Sequence, residues 1–460
     1  MIDFKVVVKY VFFFTAVVGI APATFLLCCY PRNIRWFALF LVLPMLRFNS
    51  TAINFFSKET YRGTARGMEI SMIYLIALTI LLTYHYLLKP IYIFPGWGGR
   101  IYFLYFLFSN LSIVNAYILG YSYLELWKMI MMYLVFLAVY HYLKYSNGDF
   151  DTLLYGISIV IIFNFLAVIQ QHFSGIYQVR GYFPHQNSLA MFMMMVGVLF
   201  FSRYFNNREG RRSKYFLFVF LMASAILVRT YSRGALLCYP IACFLTLVCS
   251  FRKSVSFRKM SITVFLFIVA IIGFALFIPR IIERFKKAPE ASANTRVELA
   301  IAAVNMIKDK PYLGVGINNW GLKINPPFEY AEHRRNAQSG RGDDEFKDGI
   351  VETVYLLVAA ECGIPCFIIM LIWFGFYWIS TIRLMMAYKK TDFYYIPAGI
   401  FGGLTGVFLQ SALEWVLKQQ MNYMLLMIFF AFISYMNINK HTLFQRNELQ
   451  EEGVEVEPSY

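Results

Sequence analysis

Charge is dilute in this 460-residue chain, and acidic charge most of all: 26 Asp and Glu stand against 42 Lys and Arg, and charged residues make up 15% of the sequence. With 59% hydrophobic residues and a mean hydropathy of +0.56, this excludes an ordinary soluble globular domain. The net charge of +16 does not indicate a nucleic-acid binder. Most Lys and Arg fall in short loops between apolar runs, where they act as topology signals. Cysteine is sparse too. Cys28, Cys29, Cys238, Cys243, Cys249, Cys362 and Cys366 all lie in or beside apolar runs, which argues against a disulfide framework and against a zinc site. Internal repeats are absent. Gly314 and Gly316 form a GxG without a preceding strand or a third glycine, so they are not a dinucleotide fingerprint.

Long apolar runs are what the chain has in abundance. At 1.5 Å per residue, about 20 residues cross roughly 30 Å of hydrocarbon. Candidate spans cover 6–28, 36–46, 68–88, 101–119, 127–143, 153–169, 188–205, 216–228, 235–251, 262–278, 354–379, 394–413 and 423–436. The 36–46 run is short for a crossing and reads as interfacial or re-entrant, which leaves about 12 transmembrane helices. Met1–Asp3 leads into the first run without a small-residue cleavage site, so that run reads as a retained span. The expected organisation is an N-terminal transmembrane bundle over 1–279, a polar loop over 280–350 and C-terminal transmembrane helices over 351–440. A cytoplasmic tail follows over 441–460, read as disordered.

The basic loops RYFNNREGRRSK (203–214), FRKSVSFRK (251–259) and RLMMAYKK (383–390) belong on the cytoplasmic side. Counting spans outward puts 175–187, the turn 229–234 and the long loop together on the opposite, extracytoplasmic face. Loop 47–67 also counts as external, although it is basic. Arg229 and Arg233, in RTYSRGA, and Arg180, in YQVRGYFPHQN, then lie where topogenic arginines are not expected. Each is a permanently charged fork suited to phosphate or carboxylate. Snorkelling to headgroups accounts for any one of them. Three together suit an anionic ligand held at the membrane surface, such as a lipid pyrophosphate. In the long loop, Thr295 and Glu298 form a capping-box pattern, predicting a helix over 296–309 that stops before Pro311. Val297, Ala300, Ile301, Val304 and Ile307 share one face of it, so it is expected to lie on the membrane or cap the bundle, with Arg296 in its first turn. Glu352 sits at the mouth of the next span and Glu361 about two turns deeper, where a carboxylate needs a partner.

In chain order, GYFPHQNSLA opens a span, YSRGA opens another, the external loop carries RVELAIAAVNMIKDKPYLGVGINNW, and a span begins VYLLVAAECGIP. Over residues 175–370 this order resembles the O-antigen ligase and polymerase superfamily of polytopic glycan-transferring proteins; the first third is similar only in being a run of spans. The resemblance implies an all-α polytopic membrane fold of the membrane glycosyltransferase type, with no metal and no cofactor. It implies transfer of a glycan from undecaprenyl pyrophosphate, outside the bacterial inner membrane, to a glycan, lipid or protein acceptor. Nucleic acid is not among the partners. Arg233 and Arg296 match the family's arginines and are implied to hold the donor pyrophosphate.

The family's His-Asn pair falls at Glu352 and Thr353, so this chain has a glutamate where the family usually has its proposed catalytic histidine. Either the carboxylate takes the base role, or His333 swings in from the loop, or the protein is not a ligase of the usual kind. The leaving pyrophosphate needs cations, and the acceptor hydroxyl needs a base. A carboxylate with its pKa raised beside an apolar span meets the second need; a salt bridge from Glu352 to Arg233 or Arg296 is the competing structural role. On the same resemblance, Asn318 and Asn319 are candidates for hydrogen bonds to sugar hydroxyls. Trp320 either stacks on a sugar or anchors at the interface. His185 either orients the donor or is a satisfied histidine at the start of a span. Two other classes stay open. AGIFGGLTG (398–406) suits a solute transporter, although the charged candidates cluster on one face and not at mid-bilayer. The missing histidine suits a non-catalytic scaffold for polysaccharide export.

Overall fold

Helix dominates the computed structural model, which describes residues 4–47, 51–57, 61–206, 211–257, 259–265, 267–268, 271, 290–333 and 349–451. In chain order the main elements are α1 (Phe4–Val18), α2 (Ile20–Cys29), α3 (Ile34–Val42), strands β1 (Ala52–Phe55) and β2 (Met68–Ser71), α4 (Met72–Tyr86), α5 (Gly96–Leu111), α6 (Leu119–Tyr145) and α7 (Phe150–Phe173). They continue as α8 (Gln186–Asn206), α9 (Arg211–Arg229), α10 (Arg233–Lys253), α11 (Glu290–Asp309), α12 (Val354–Ala387), α13 (Tyr395–Ser411), α14 (Gln420–Ile438) and α15 (Lys440–Glu451). Among the described residues, six helices are long and apolar enough to cross a membrane: α6, α7, α8, α10, α12 and α14. The α1–α2 pair, bent by 43°, makes a seventh if it is one span.

Several expectations shift. The run from 68 opens as a strand, paired antiparallel with β1 from Ala52↔Ser71 to Phe55↔Met68, before α4 begins. The short 36–46 run is α3 with a 3-10 continuation to Arg47, packed on α4 and α7. The tail is not disordered as far as Glu451: α15 is anchored by fully buried Leu443, by Phe444 stacked on Tyr388 and by Arg446 donating to the Asn147 carbonyl. The rest of the tail, the end of the 262–278 span, and residues 207–210 of the loop 203–214 lie outside the described residues.

A helix that is apolar all round belongs in the middle of a bundle. α8 is buried on every side from Ser188 to Asn206, and α9, α10 and α13 wrap it. The AGIFGGLTG run lies on the seam where α13 meets α8 and α10, with Gly402 against Thr246 and Ala242. Close packing through small residues accounts for its composition. α14 forms a second centre against α6 and α12.

The loop helix α11 starts at Glu290, earlier than the capping box predicts, because EASAN continues the helix through alanine-rich sequence. Thr295 is therefore interior and Arg296 lies beyond the first turn. The helix ends at Asp309 as expected before Pro311. It caps the bundle with Leu299, Ala302, Ala303 and Met306 against α12, while Val297, Ile301 and Val304 face outward.

The chain then turns through GVGINNW onto a break in α12. Gly363 has φ +85° inside that helix, which releases carbonyls for outside partners. Val315 N–H donates to the Ala360 carbonyl and Gly316 N–H to that of Glu361, both at 2.9 Å, and Ile364 N–H donates to Pro311 at 2.8 Å. A Cβ on Gly363 would lie 2.2 Å from the Tyr312 carbonyl oxygen, so only glycine fits.

Under this turn lie four buried charges. Lys128 of α6 is 2.6 Å from Glu125, and Lys418, in the 3-10 turn Val416–Lys418, is 3.2 Å from Glu125 and 3.8 Å from Glu361 of α12. Lys128 also donates to the carbonyls of Thr64 and Lys418, the Thr64 hydroxyl to Glu125 and the Trp320 N–H to Glu361. Loop 61–65, the GINNW turn, the head of α12 and the 416–418 turn thus converge on one cluster. Lys418→Met leaves two carboxylates buried with too little positive charge and is expected to destabilise the protein by about 3–5 kcal/mol. Thermal unfolding in detergent measures the loss, and Lys418→Met with Glu361→Gln should recover part of it.

Candidate functional site

At the end of the bundle that carries these loops, the α9–α10 turn, α11, the mouth of α12 and the α13–α14 connection come together. Tyr231 adopts φ +51°, which makes the α9–α10 turn sharp. Ser232 then caps α10, its side chain accepting from Ala235 N–H. Arg233 is thereby the first residue of α10, at the positive end of the helix.

Glu414 reaches the same place from beyond α13. Its carboxylate accepts from the Ser232 hydroxyl at 3.4 Å and from Gln410 Nε2 at 3.3 Å. A Cβ on Gly234 would stand 3.2 Å from Glu414 Oε1, so a side chain there would press on that carboxylate. Arg296 meets Glu352 at 3.4 Å, with both side chains 37% exposed. Glu352 lies just ahead of α12, so the positive N-termini of α10 and α12 both border the site.

The two carboxylates sit in different environments. Burial raises the Glu352 carboxyl above the usual range, opposed by the charges of Arg296 and Arg233. Glu414 is only 3% exposed. Burial, aided by the negative charge of Glu352, pushes it up to about 7, against Gln410, Arg296 and Ser232. Two arginines, two carboxylates and two helix N-termini make a place that takes an anion and keeps one carboxyl near its titration point at neutral pH.

The other expected residues distribute around this centre. Arg229 gives its guanidinium to Tyr231, at 2.9 Å, and to His172 Nδ1. Arg180 is exposed, its backbone held by Gln171. His185 precedes α8 and accepts from Asn187 N–H; desolvation and the Arg180 charge lower its imidazole pKa. His333 bonds the Glu298 carbonyl at 3.1 Å, on the helix that carries Arg296.

Asn318 and Asn319 are turned inward onto the protein's own polar groups. Both are fully buried. Asn318 Oδ1 accepts from Thr64 and Ala65 N–H, and its Nδ2 donates to the carbonyls of Ala65 and Tyr121. Asn319 clamps Tyr117, Ile118 and Ser122 in the same way. Amides with this many backbone partners tie loops together and have little left for sugar hydroxyls. Trp320 is also fully buried and donates to Gly349, so it is neither a stacking platform nor an interfacial anchor. Glu361 pairs with Lys418, away from the arginines.

Sequence reasoning missed Glu414. The available signal was a lone acid in SALEWVL, an otherwise apolar stretch joining two candidate spans, where an unpartnered charge is costly. Among the described residues, no group of three His, Cys, Asp or Glu is placed to hold a metal.

Ionisation of Glu414, followed through its carboxyl band by infrared difference spectroscopy, is expected near pH 7. Glu352→Gln removes the like charge that raises it, so the midpoint should move to lower pH. A midpoint that stays in place would show that the two carboxyls do not interact.

Residues 217–371 match the family model described as O-antigen ligase. This segment holds α10, α11 and the first half of α12, and with them Arg233, Arg296 and Glu352; Glu414 lies beyond it. No curated protein matches the chain.

Proposed function

We propose that the chain, whose residues 217–371 match the O-antigen ligase family model, transfers a glycan from undecaprenyl pyrophosphate to an acceptor hydroxyl at the extracytoplasmic face of the inner membrane. The observation that carries this reading is the meeting of Arg233, Arg296, Glu352 and Glu414 at two helix N-termini. Arg233 and Arg296 bind the pyrophosphate. The acceptor oxygen forms its bond to the anomeric carbon as the bond from that carbon to the pyrophosphate oxygen breaks, and the lipid pyrophosphate leaves on the arginines.

The hydroxyl proton goes to a carboxylate. Glu352 is raised too, but its Oε2 is engaged with the Arg296 guanidinium. Glu414, with a pKa near ambient pH, is better matched. Glu352 holds one edge of the Arg296 fork, leaving other N–H donors for phosphate. Arg229, Arg180 and His185 add positive and polar character to the approach. His333, bonded to a backbone carbonyl, has no part in the proton transfer.

The test uses cells lacking the protein, complemented at matched membrane levels. Arg233→Ala, Arg296→Ala and Glu414→Gln should each lower transfer by about a hundredfold or more, with lipid-linked glycan accumulating and the mature polymer or conjugate lost. The missing product identifies the acceptor. Glu352→Gln should retain partial turnover, with the rising limb of its pH–rate profile displaced to lower pH. If Glu352→Gln abolishes transfer at every pH while Glu414→Gln is active, the base assignment reverses. Wild-type glycans from all four variants would favour the scaffold or transporter reading.

A further inference from the structure

On the outer side of α11, away from the charged site, lies an open cleft of about 440 Å³ lined by Asn305, Pro327, Phe328, Glu329 and Tyr330. We propose that this cleft is a glycan-binding subsite that holds an oligosaccharide chain at a distance from the reacting end. The proposal rests on the reading of the protein as a glycan transferase and adds to it a site outside the transfer centre.

The chemistry of the lining selects the ligand class. Asn305 gives its Nδ2 to the Tyr330 carbonyl at 3.1 Å. A carbonyl only accepts, so the amide orientation is set and Oδ1 is left as an acceptor with no partner among the described residues. Glu329 is exposed and likewise makes no side-chain bond among the described residues. Between these acceptors stands an aromatic platform. Tyr330 lies near-parallel to Phe328 at 6.4 Å, Tyr117 meets Phe328 edge-on at 5.1 Å and Lys323 sits 4.2 Å from the Phe328 ring centre. The Tyr330 hydroxyl is fastened to Asp309 at 2.5 Å, which fixes that ring.

A ligand for this lining must bring O–H donors for the free acceptors and an apolar C–H face for the electron-rich rings. A pyranose does both. Phosphate has no apolar face and would meet Glu329 and Asp309, while Lys323, the cation at these rings, is engaged over Phe328. An acyl or prenyl chain has no donors to offer. The size suits a small-molecule site. Position suits it too: Asn305 lies two and a half turns beyond Arg296 on the same helix, about 13 Å along the axis, on its opposite flank.

Binding is tested on the purified full-length protein in detergent, with two probes. One is the set of free oligosaccharides released by mild acid from the surface polysaccharide of the producing cells; the other is sugar-free undecaprenyl pyrophosphate. Phe328→Ala and the surface change Glu329→Gln should each weaken oligosaccharide binding, about tenfold for the aromatic, and leave undecaprenyl pyrophosphate binding unchanged. Phe328→Tyr, which keeps the platform, should bind as wild type. Arg296→Ala should do the reverse, losing the lipid pyrophosphate and keeping the oligosaccharide, so failure of the donor reading is seen separately. Saturating lipid-linked glycan that displaces the oligosaccharide identifies the donor's own chain in the cleft; simultaneous binding identifies an acceptor chain. Oligosaccharide that fails to bind the wild type, or that binds Phe328→Ala and Glu329→Gln at full strength, overturns the proposal.

Discussion

Four charges buried beneath the GINNW turn can leave water only together. Glu125, Lys128, Glu361 and Lys418 sum to zero and are linked by ion pairs, with Lys128 and Glu361 also bonded to backbone groups. Taken singly, any of them would be prohibitive in an apolar bundle. The four come from α6, α12 and the connection between α13 and α14, so those elements are held in one relative placement. Glu352 precedes the head of α12, and Glu414 precedes the turn that ends in Lys418. The spacing of the two candidate carboxylates is therefore set by charges outside the candidate site.

The same constraint explains the polar, glycine-punctuated stretch in the middle of the loop. GVGINNW docks on the carbonyls exposed by the break at Gly363, and its asparagines collect backbone groups from loop 61–65 and from the start of α6. Polar residues in this position do the work of a core. They satisfy irregular backbone that would otherwise be orphaned inside a membrane protein. What is left for chemistry lies at the rim: the turn carrying Arg233, the helix carrying Arg296 and the two glutamates. The arginines are balanced by carboxylates while the helix dipoles are not, so the site keeps a bias toward an incoming anion without isolated buried cations.

Composition and periodicity determined a helical membrane protein and the location of most helices, because hydrocarbon demands long apolar runs and self-satisfied backbone whatever the tertiary arrangement. Arg233 stood out for a local reason, with Arg229 and Arg180, as a permanent charge where topology has no use for one; Arg296 was marked by the resemblance. Tertiary structure decided the rest. Glu414 joins Ser232 across 182 residues of chain, and no local pattern encodes that distance. Asn318 and Asn319 looked like sugar ligands because their sequence shows polarity but not the backbone groups that consume it. The outward stripe on α11 was likewise invisible, since Leu299 and Met306 on one face and Val297 and Ile301 on another are equally apolar. Only the surface of α12 decides which of them is buried. Local sequence specifies what a segment can bury; which partner it buries against, and hence which charges meet, is settled where distant segments pack.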